Sequence, residues 1–353
     1  MHEPLKVRPV VAWLKALFVM LVVAAINLAI WALTHQPREL PDWPGRINGF
    51  AFSAFQRYQS PHRDEYPSDE ELNEDIRLMS LYTRRIRTYS SAESPTIPRI
   101  ARANGIQVTA GAWLDRRWQK NEDEIAELIR LIGEYDNIDR AIVGNEVLLR
   151  NDIEPTELMR YIERVRGSVG IPVSTCDPWH VWLKYPELAQ HVDFICVHLL
   201  PYWEGQPSDI ALKLALERYD LLVKTFPQKP IVIGEIGWPS NGDRVKAAKA
   251  TKENEASFLR QFFEIARQRG LDYYVMEAFD QPWKTDDEGR AGAYWGVFDA
   301  FRDLKFPLAG AVQEDPQWSL KALIASLLAV PFVLGFTRKF TRFALPGLLF
   351  FGT

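Results

Sequence analysis

Eight apolar runs recur along the middle of the chain, each separated from the next by a longer segment. They lie at 46–55 (RINGFAFSAF), 84–90 (RRIRTYS), 106–114 (IQVTAGAWL), 141–149 (AIVGNEVLL), 172–179 (PVSTCDPW), 192–203 (VDFICVHLLPYW), 230–238 (PIVIGEIGW) and 271–283 (LDYYVMEAFDQPW). Most of the intervening segments carry helical spacing. The first, SDEELNEDIRLMSLY, opens on Ser68 with Glu71 three residues later, the pattern of a capping box. Continuous apolar strands alternating with helices imply a parallel sheet covered on its faces. Eight such units in roughly 260 residues match a (β/α)8 TIM barrel. A doubly wound sheet would carry a Gly-rich phosphate turn after its first strand, and GFAFSAF has none.

The ends of the chain differ from its middle. Residues 16–34 (ALFVMLVVAAINLAIWALT) hold no charge and are long enough to cross a bilayer. Lys6, Arg8 and Lys15 precede them, which places residues 1–15 in the cytoplasm. No small-x-small cleavage site follows, so the segment reads as an uncleaved transmembrane signal anchor rather than a secretory signal peptide. Residues 318–336 (WSLKALIASLLAVPFVLGF) form a second span, with Lys321 able to snorkel. Arg338, Lys339 and Arg342 return the chain to the cytoplasm, and FALPGLLFFGT within 337–353 begins a further apolar segment, as though a longer membrane protein had been cut there. The expected layout is a stiff linker at 35–45, a catalytic barrel at 46–317 facing the periplasm or exterior, and the two spans in the cytoplasmic (inner) membrane.

A net charge of −4 with no basic stripe argues against nucleic acid as a partner. No His or Cys cluster has ligand spacing and no nucleotide loop is present, so neither metal nor cofactor is expected. The HRDE stretch at 62–65 reads as a solvated loop. Cys176 and Cys196 are the only cysteines. A disulfide between them is open in an oxidising compartment, but buried free thiols are the commoner outcome and the expectation here.

Chemistry concentrates at two strand ends. Glu235 ends the seventh run and is followed by Gly237, Trp238 and Pro239; Glu146 ends the fourth, directly after Asn145. Barrel sites gather at the C-terminal ends of strands, and the fourth and seventh strands face each other across the mouth. Two carboxylates there can cleave a glycosidic bond, one protonating the leaving oxygen and the other attacking the anomeric carbon. The competing reading pairs each Glu with an arginine such as Arg87.

The run IVIGEIGWPSNG closely resembles the signature of glycoside hydrolase family 17, the β-1,3-glucanase and glucanosyltransferase family. VGNE resembles its acid/base strand, and YWGVFD at 294–299 its segment after the last strand, so that the likeness spans about residues 46–306. The resemblance implies a retaining mechanism on β-linked glucan, with Glu146 as acid/base and Glu235 as nucleophile. It gives Asn145 the sugar 2-hydroxyl, gives Tyr202 (in LLPYW) the task of holding Glu235, and makes Arg87 and Tyr89 (in RIRTY) supports of the nucleophile. His198 stands open between site and core. Trp179, Trp238 and Trp283 are candidate sugar platforms, and Lys284 matches a lysine that contacts substrate. Asp280 is a further substrate-binding candidate, although the chain departs from plant members at Asp280 and Gln281, where they carry Asn-Glu.

Three functions compete: a membrane-anchored β-glucan-active enzyme, a non-catalytic glycan-binding barrel, and a membrane scaffold. Both catalytic carboxylates are in place, which favours the enzyme. Its tether suits remodelling of exported glucan, and here the chain resembles bacterial members that build branched or cyclic β-1,3/1,6-glucans, some of them joined to a glucan synthase module. Transfer to a sugar is expected over plain exo- or endo-hydrolysis, because Trp179, Trp182, Trp203, Trp238 and Trp283 could position an acceptor.

Overall fold

The computed structural model describes residues 9–339; Lys6, Arg8, Arg342 and the run 343–353 lie outside the described residues. The chain divides into two units, Glu39–Val312 and a terminal unit made of Met1–Arg38 with Gln313–Thr353.

The terminal unit opens with α1 (Pro9–Thr34). In the larger unit every strand is followed by a helix. The order is β1 (Phe50–Ala51), α2 (Asp69–Tyr82), β2 (Arg85–Arg87), α3 (Ile97–Ala103), β3 (Gln107–Ala112), α4 (Trp118–Glu134), β4 (Ile138–Asn145) and α5 (Pro155–Arg166). It continues through β5 (Val173–Pro178), α6 (Trp179–Lys184), β6 (Ile195–Leu199), α7 (Ser208–Thr225), β7 (Ile231–Ile236), α8 (Lys252–Arg269), β8 (Asp272–Val275) and α9 (Thr285–Gly292). The strands pair in parallel, each with the next, and β1 pairs with β8 to close the barrel. The capping box forms as the spacing predicts: Ser68 Oγ accepts from the Glu71 N–H and Glu71 Oε2 accepts from the Ser68 N–H. The chain ends its described part with α10 (Trp318–Lys339), and within the terminal unit Asn27 Nδ2 donates to Ala322 O (3.0 Å) and Ser326 Oγ (2.9 Å).

The eight expected strands all form, shorter than the apolar runs suggest. At the site the shift that matters is at β4, which starts at Ile138 and stops at Asn145, where the sequence had extended it to Leu149. The reason is Glu146, whose φ of 53° turns the chain into the left-handed region. Gly144 precedes it at φ 83°, and a Cβ there would come within 2.6 Å of Val147 Cγ2. The Gly-Asn-Glu turn thus ends the strand at Glu146, whose N–H makes the last inter-strand bond, to Cys176 O. Helix α6 also arises where the sequence reading had placed no helix.

The main core lies between barrel and helices, and a smaller cluster of Ile142, Cys176, Phe194, Cys196, Val232 and Tyr274 is buried apart from it. Cys176 and Cys196 do not remain free thiols. Register places them opposite each other on β5 and β6, with Cα atoms 4.6 Å apart, and they form a disulfide.

Candidate active site

The C-terminal ends of β2, β4, β6 and β7 bring Arg87, Glu146, His198 and Glu235 together. Arg87 has no exposed surface; its Nη1 donates to Glu235 Oε1 (3.0 Å) and its Nη2 to Asn145 Oδ1. The Tyr89 hydroxyl donates to the same Glu235 oxygen at 2.9 Å. The other side of Glu235 faces His198, whose Nδ1 lies 3.5 Å from Glu235 Oε2 and 2.9 Å from Glu146 Oε1. Nδ1 is thus the ring nitrogen engaged with both carboxyl groups, while Nε2 is buried without a hydrogen-bond partner.

Burial by itself would raise the Glu235 carboxyl. The charges of His198, Arg87 and Lys284 and the Tyr89 hydroxyl outweigh it and hold the group below the usual carboxylate range. Lys284 donates to both oxygens of Glu277, at 2.9 and 3.0 Å, and its ammonium lies over the Tyr89 ring. Burial would discharge that lysine, but the Glu277 carboxylate keeps it above its ordinary value. Asp177, the last residue but one of β5, accepts from the Leu149 N–H (3.1 Å), pinning the turn that follows Glu146. Burial, then the charge of Glu146, pushes Asp177 up to about 7.

A carboxylate oxygen from each of Glu146 and Glu235 and a His198 ring nitrogen all lie within 4.8 Å of one another. The sequence had shown no such cluster, because its members come from three strands. The set could ligate a metal, but a cation there would meet the Arg87 guanidinium, 3.0 Å from the same Glu235 carboxylate.

Of the residues singled out in sequence, Arg87, Tyr89, Asn145, Glu146, His198, Glu235 and Lys284 converge. Tyr202 does not hold Glu235: its hydroxyl donates to Asp243 O and its ring is buried against Trp238 and Trp295. Tyr89 does that work instead. Trp238 is fully buried, with its indole N–H given to Lys249 O, and offers no face to a sugar. Trp182 is likewise buried and donates to Cys196 O. Asp280 is buried, accepting from the Gly296 N–H and Lys305 Nζ, which makes it an anchor for the Trp-Gly-Val-Phe segment rather than a substrate contact. Trp179 and Trp283 are partly exposed. Arg218 covers one face of Trp179, and Trp283 meets Phe55 and His62 edge-on. Glu277 and Asp177 went unread, although MEAF after the last strand and CDPW after the fifth each set an acid at a strand end. The HRDE stretch at 62–65 is solvent-exposed as expected, and within it His62 Nε2 lies 2.9 Å from Asp287 Oδ2.

A closed parallel barrel with two carboxylates on opposite strand ends defines a protein of the glycoside hydrolase class. The model of the BtgE/BtgC glycoside hydrolase domain matches residues 49–296, and the chain belongs to that family. It is 29% identical over 256 residues to a glucan 1,3-beta-glucosidase of Schizosaccharomyces pombe, a match covering 66% of this chain and 79% of the relative. A probable glucan endo-1,3-beta-glucosidase of Aspergillus flavus is 28% identical over 68% of this chain and 40% of its own length. Among solved structures, the glycoside hydrolase family 17 beta-1,3-glucanosyltransferase of Rhizomucor miehei superposes with a TM-score of 0.67 at 29% identity, covering 74% of this chain and 97% of that one. An active-site mutant of that enzyme in complex with laminaritriose gives a TM-score of 0.66. The family expected from IVIGEIGWPSNG is therefore the right one.

Proposed function

We propose that this chain is a membrane-anchored, retaining β-1,3-glucan-active enzyme that transfers glucosyl units to another glucan. The observation that carries the reading is the approach of Glu146 and Glu235 oxygens to within 4.8 Å. Retaining enzymes hold their carboxyls about 5–5.5 Å apart, whereas an inverting pair stands about 6.5–9.5 Å apart to admit water. Glu235, held ionised by Arg87 and Tyr89, attacks the anomeric carbon. The glycosidic C–O bond breaks and its oxygen takes the proton of Glu146. An acceptor hydroxyl then returns a proton to Glu146 as its oxygen displaces Glu235.

Hydrolysis and transfer share that intermediate, so the acceptor decides between them. A sugar held on the leaving-group side gains an effective molarity that water lacks. Trp179 begins α6, after β5, and Trp203, 36% exposed, follows β6; loops after these two strands, which lie between β4 and β7 in the barrel, suit such a platform. The glucanosyltransferase activity named for the Rhizomucor relative points the same way. The apolar helices α1 and α10 contain spans of 22 and 19 residues long and apolar enough to cross a membrane. Such a tether would hold the barrel beside newly exported chains, with a glucan synthase module as the natural supplier.

The test is to incubate the detergent-solubilised full chain with one pure β-1,3-oligosaccharide and follow products by size and linkage. Products longer than the starting sugar are expected. Shorter products alone, with reducing ends rising in step with cleavage at high substrate concentration, would leave a plain hydrolase.

A further inference from the structure

Helices α4 and α5 follow the neighbouring strands β3 and β4, so they stand side by side outside the barrel with their first turns at its catalytic end. Between them runs a groove of about 170 Å³, lined by Trp118 and Glu122 of α4 and by Glu157, Arg160, Tyr161 and Arg164 of α5. Helical spacing builds it. Residues 118 and 122 are about one turn apart, and residues 157, 160, 161 and 164 fall on one face of α5. Trp118 is the first residue of α4 and is 62% exposed, whereas Tyr161 is buried. Arg164 Nη1 meets Glu122 Oε2 at 2.5 Å and so bridges the two helices. The Glu157 carboxylate and the Arg160 guanidinium hold no hydrogen bond or ion pair among the described residues.

Such a lining selects its occupant. A flat indole face suits the apolar face of a pyranose ring. An uncommitted carboxylate and guanidinium beside it supply acceptors and donors for ring hydroxyls. A cavity of about 150 Å³ is enough to take up a benzene ring, so the groove has the size of one sugar ring rather than of a chain segment. A protein partner would meet a broader apolar centre, and Trp118 is the one exposed apolar side chain in this lining. The groove is also tied to the catalytic turn. Arg116, two residues before Trp118, places Nε 3.3 Å from Asp152 Oδ1, and Arg150 Nε lies 2.6 Å from Asp152 Oδ2. Arg150 also donates to Leu114 O at 2.8 Å and to the carbonyl of Asn145, the residue before Glu146. A glucan leaving the cleft over the ends of β3 and β4 therefore meets Trp118 at the rim.

We propose that the groove between α4 and α5 is a second glucan-binding site outside the catalytic cleft, in which Trp118 stacks on one glucosyl ring and Glu157 and Arg160 hydrogen-bond its hydroxyls. The inference rests on the glucan-active reading above. A long chain held there stays on the barrel between encounters with the cleft, and its local concentration at Glu146 and Glu235 rises. A chain too short to fill the cleft and reach α4 together gains nothing from the groove. The site therefore favours long glucans over short ones without touching the chemistry.

The experiment uses the full chain in detergent and compares a long soluble β-1,3-glucan with a β-1,3-linked tetrasaccharide. Trp118→Ala should raise KM for the long glucan about threefold to tenfold, the scale of one aromatic stacking contact, while kcat/KM for the tetrasaccharide stays as it was. Arg160→Ala should move KM for the long glucan in the same direction by a smaller factor. Both side chains are exposed, so the barrel is expected to fold, and the tetrasaccharide rate reports the folded fraction in each preparation. An unchanged KM for the long glucan in Trp118→Ala overturns the second site and leaves the glucan reading intact. Equal losses on both substrates also overturn it, because the groove would then not act apart from the cleft. No turnover of either substrate by the unsubstituted chain overturns the glucan reading and the second site with it.

Discussion

Glu235 meets a cation and a hydroxyl on one oxygen and an imidazole on the other, and that asymmetry makes its role testable at the scale of single residues. Glu235→Gln should drop turnover on glucan by more than about 10³-fold with the fold intact. Glu146→Gln should cost about 10²–10⁴-fold on glucan but far less on an aryl glucoside whose leaving group needs no proton. Equal losses on both substrates would remove Glu146 from the proton-donor role. A pH profile separates the supports of the nucleophile. Glu235 acts as an anion, and its carboxyl lies below the usual range, so the acidic limb of kcat/KM should fall only below the ordinary Glu range. Activity is present above that limb and is lost as pH falls through it. Tyr89→Phe deletes a donor that favours the anion, so the limb should move to higher pH; an unmoved limb would show that Tyr89 only packs. Glu146 and Glu235 were legible because strand ends in a barrel converge whatever their order in sequence, whereas Tyr89, Asn145, Lys284 and the role of Arg87 came from the resemblance alone. The buried tryptophans were not legible. Trp238 stands three residues after Glu235 and Trp182 sits inside a helix, and past a strand end the alternation that assigns a side chain to a face no longer applies.

At the scale of elements, the disulfide between β5 and β6 forms a floor under the catalytic turn. Cys176 O accepts from the Glu146 N–H at 2.7 Å, and a Cβ on Gly234, the residue before Glu235, would lie 2.5 Å from Cys196 Sγ and 2.9 Å from Cys176 Sγ. The cross-link therefore touches the backbone of both catalytic strands. It closes a loop with a sequence separation of 20, for which the chain-entropy model gives about 3 kcal/mol. Replacing both cysteines by serine should lower the thermal midpoint by about 6–12 °C and reduce activity below that midpoint as well. A midpoint that does not respond to the substitution, or to reductant in the unsubstituted protein, would show that the bond contributes nothing. The eight strands and most of their helices were readable from apolar runs and spacing, since each must bury a face on its own. The pairing of Cys176 with Cys196 was not, because it depends on the register between two strands. The tie of His62 to Asp287 was hidden for the same kind of reason, as its partners lie 225 residues apart in two loops.

For the whole molecule, the question is what surrounds the helices that flank the barrel. Leu21, Leu33, Leu328 and Phe332 on α1 and α10 are all more than 60% exposed, and in water so many large apolar side chains would drive association. In lipid they are at home, and Asn27, the one strongly polar side chain of its apolar run, is satisfied by Ala322 and Ser326. The charges Lys6, Arg8 and Lys15 before α1, and Arg338, Lys339 and Arg342 around the end of α10, then favour the cytoplasmic side for both ends. On the membrane-anchored reading proposed above, residues 35–317 would stand on the outer face, where an oxidising environment would let Cys176 and Cys196 join. Two fusions at Val312 test the arrangement in a Gram-negative host: alkaline phosphatase, which is active only after export, and β-galactosidase, which is active only in the cytoplasm. The phosphatase fusion should be active and the galactosidase fusion silent. The reverse would place the barrel in the cytoplasm, where the disulfide would not persist and no exported glucan would reach Glu235, so that remodelling at the membrane surface would have to be abandoned while the chemistry of the paired carboxylates still stood.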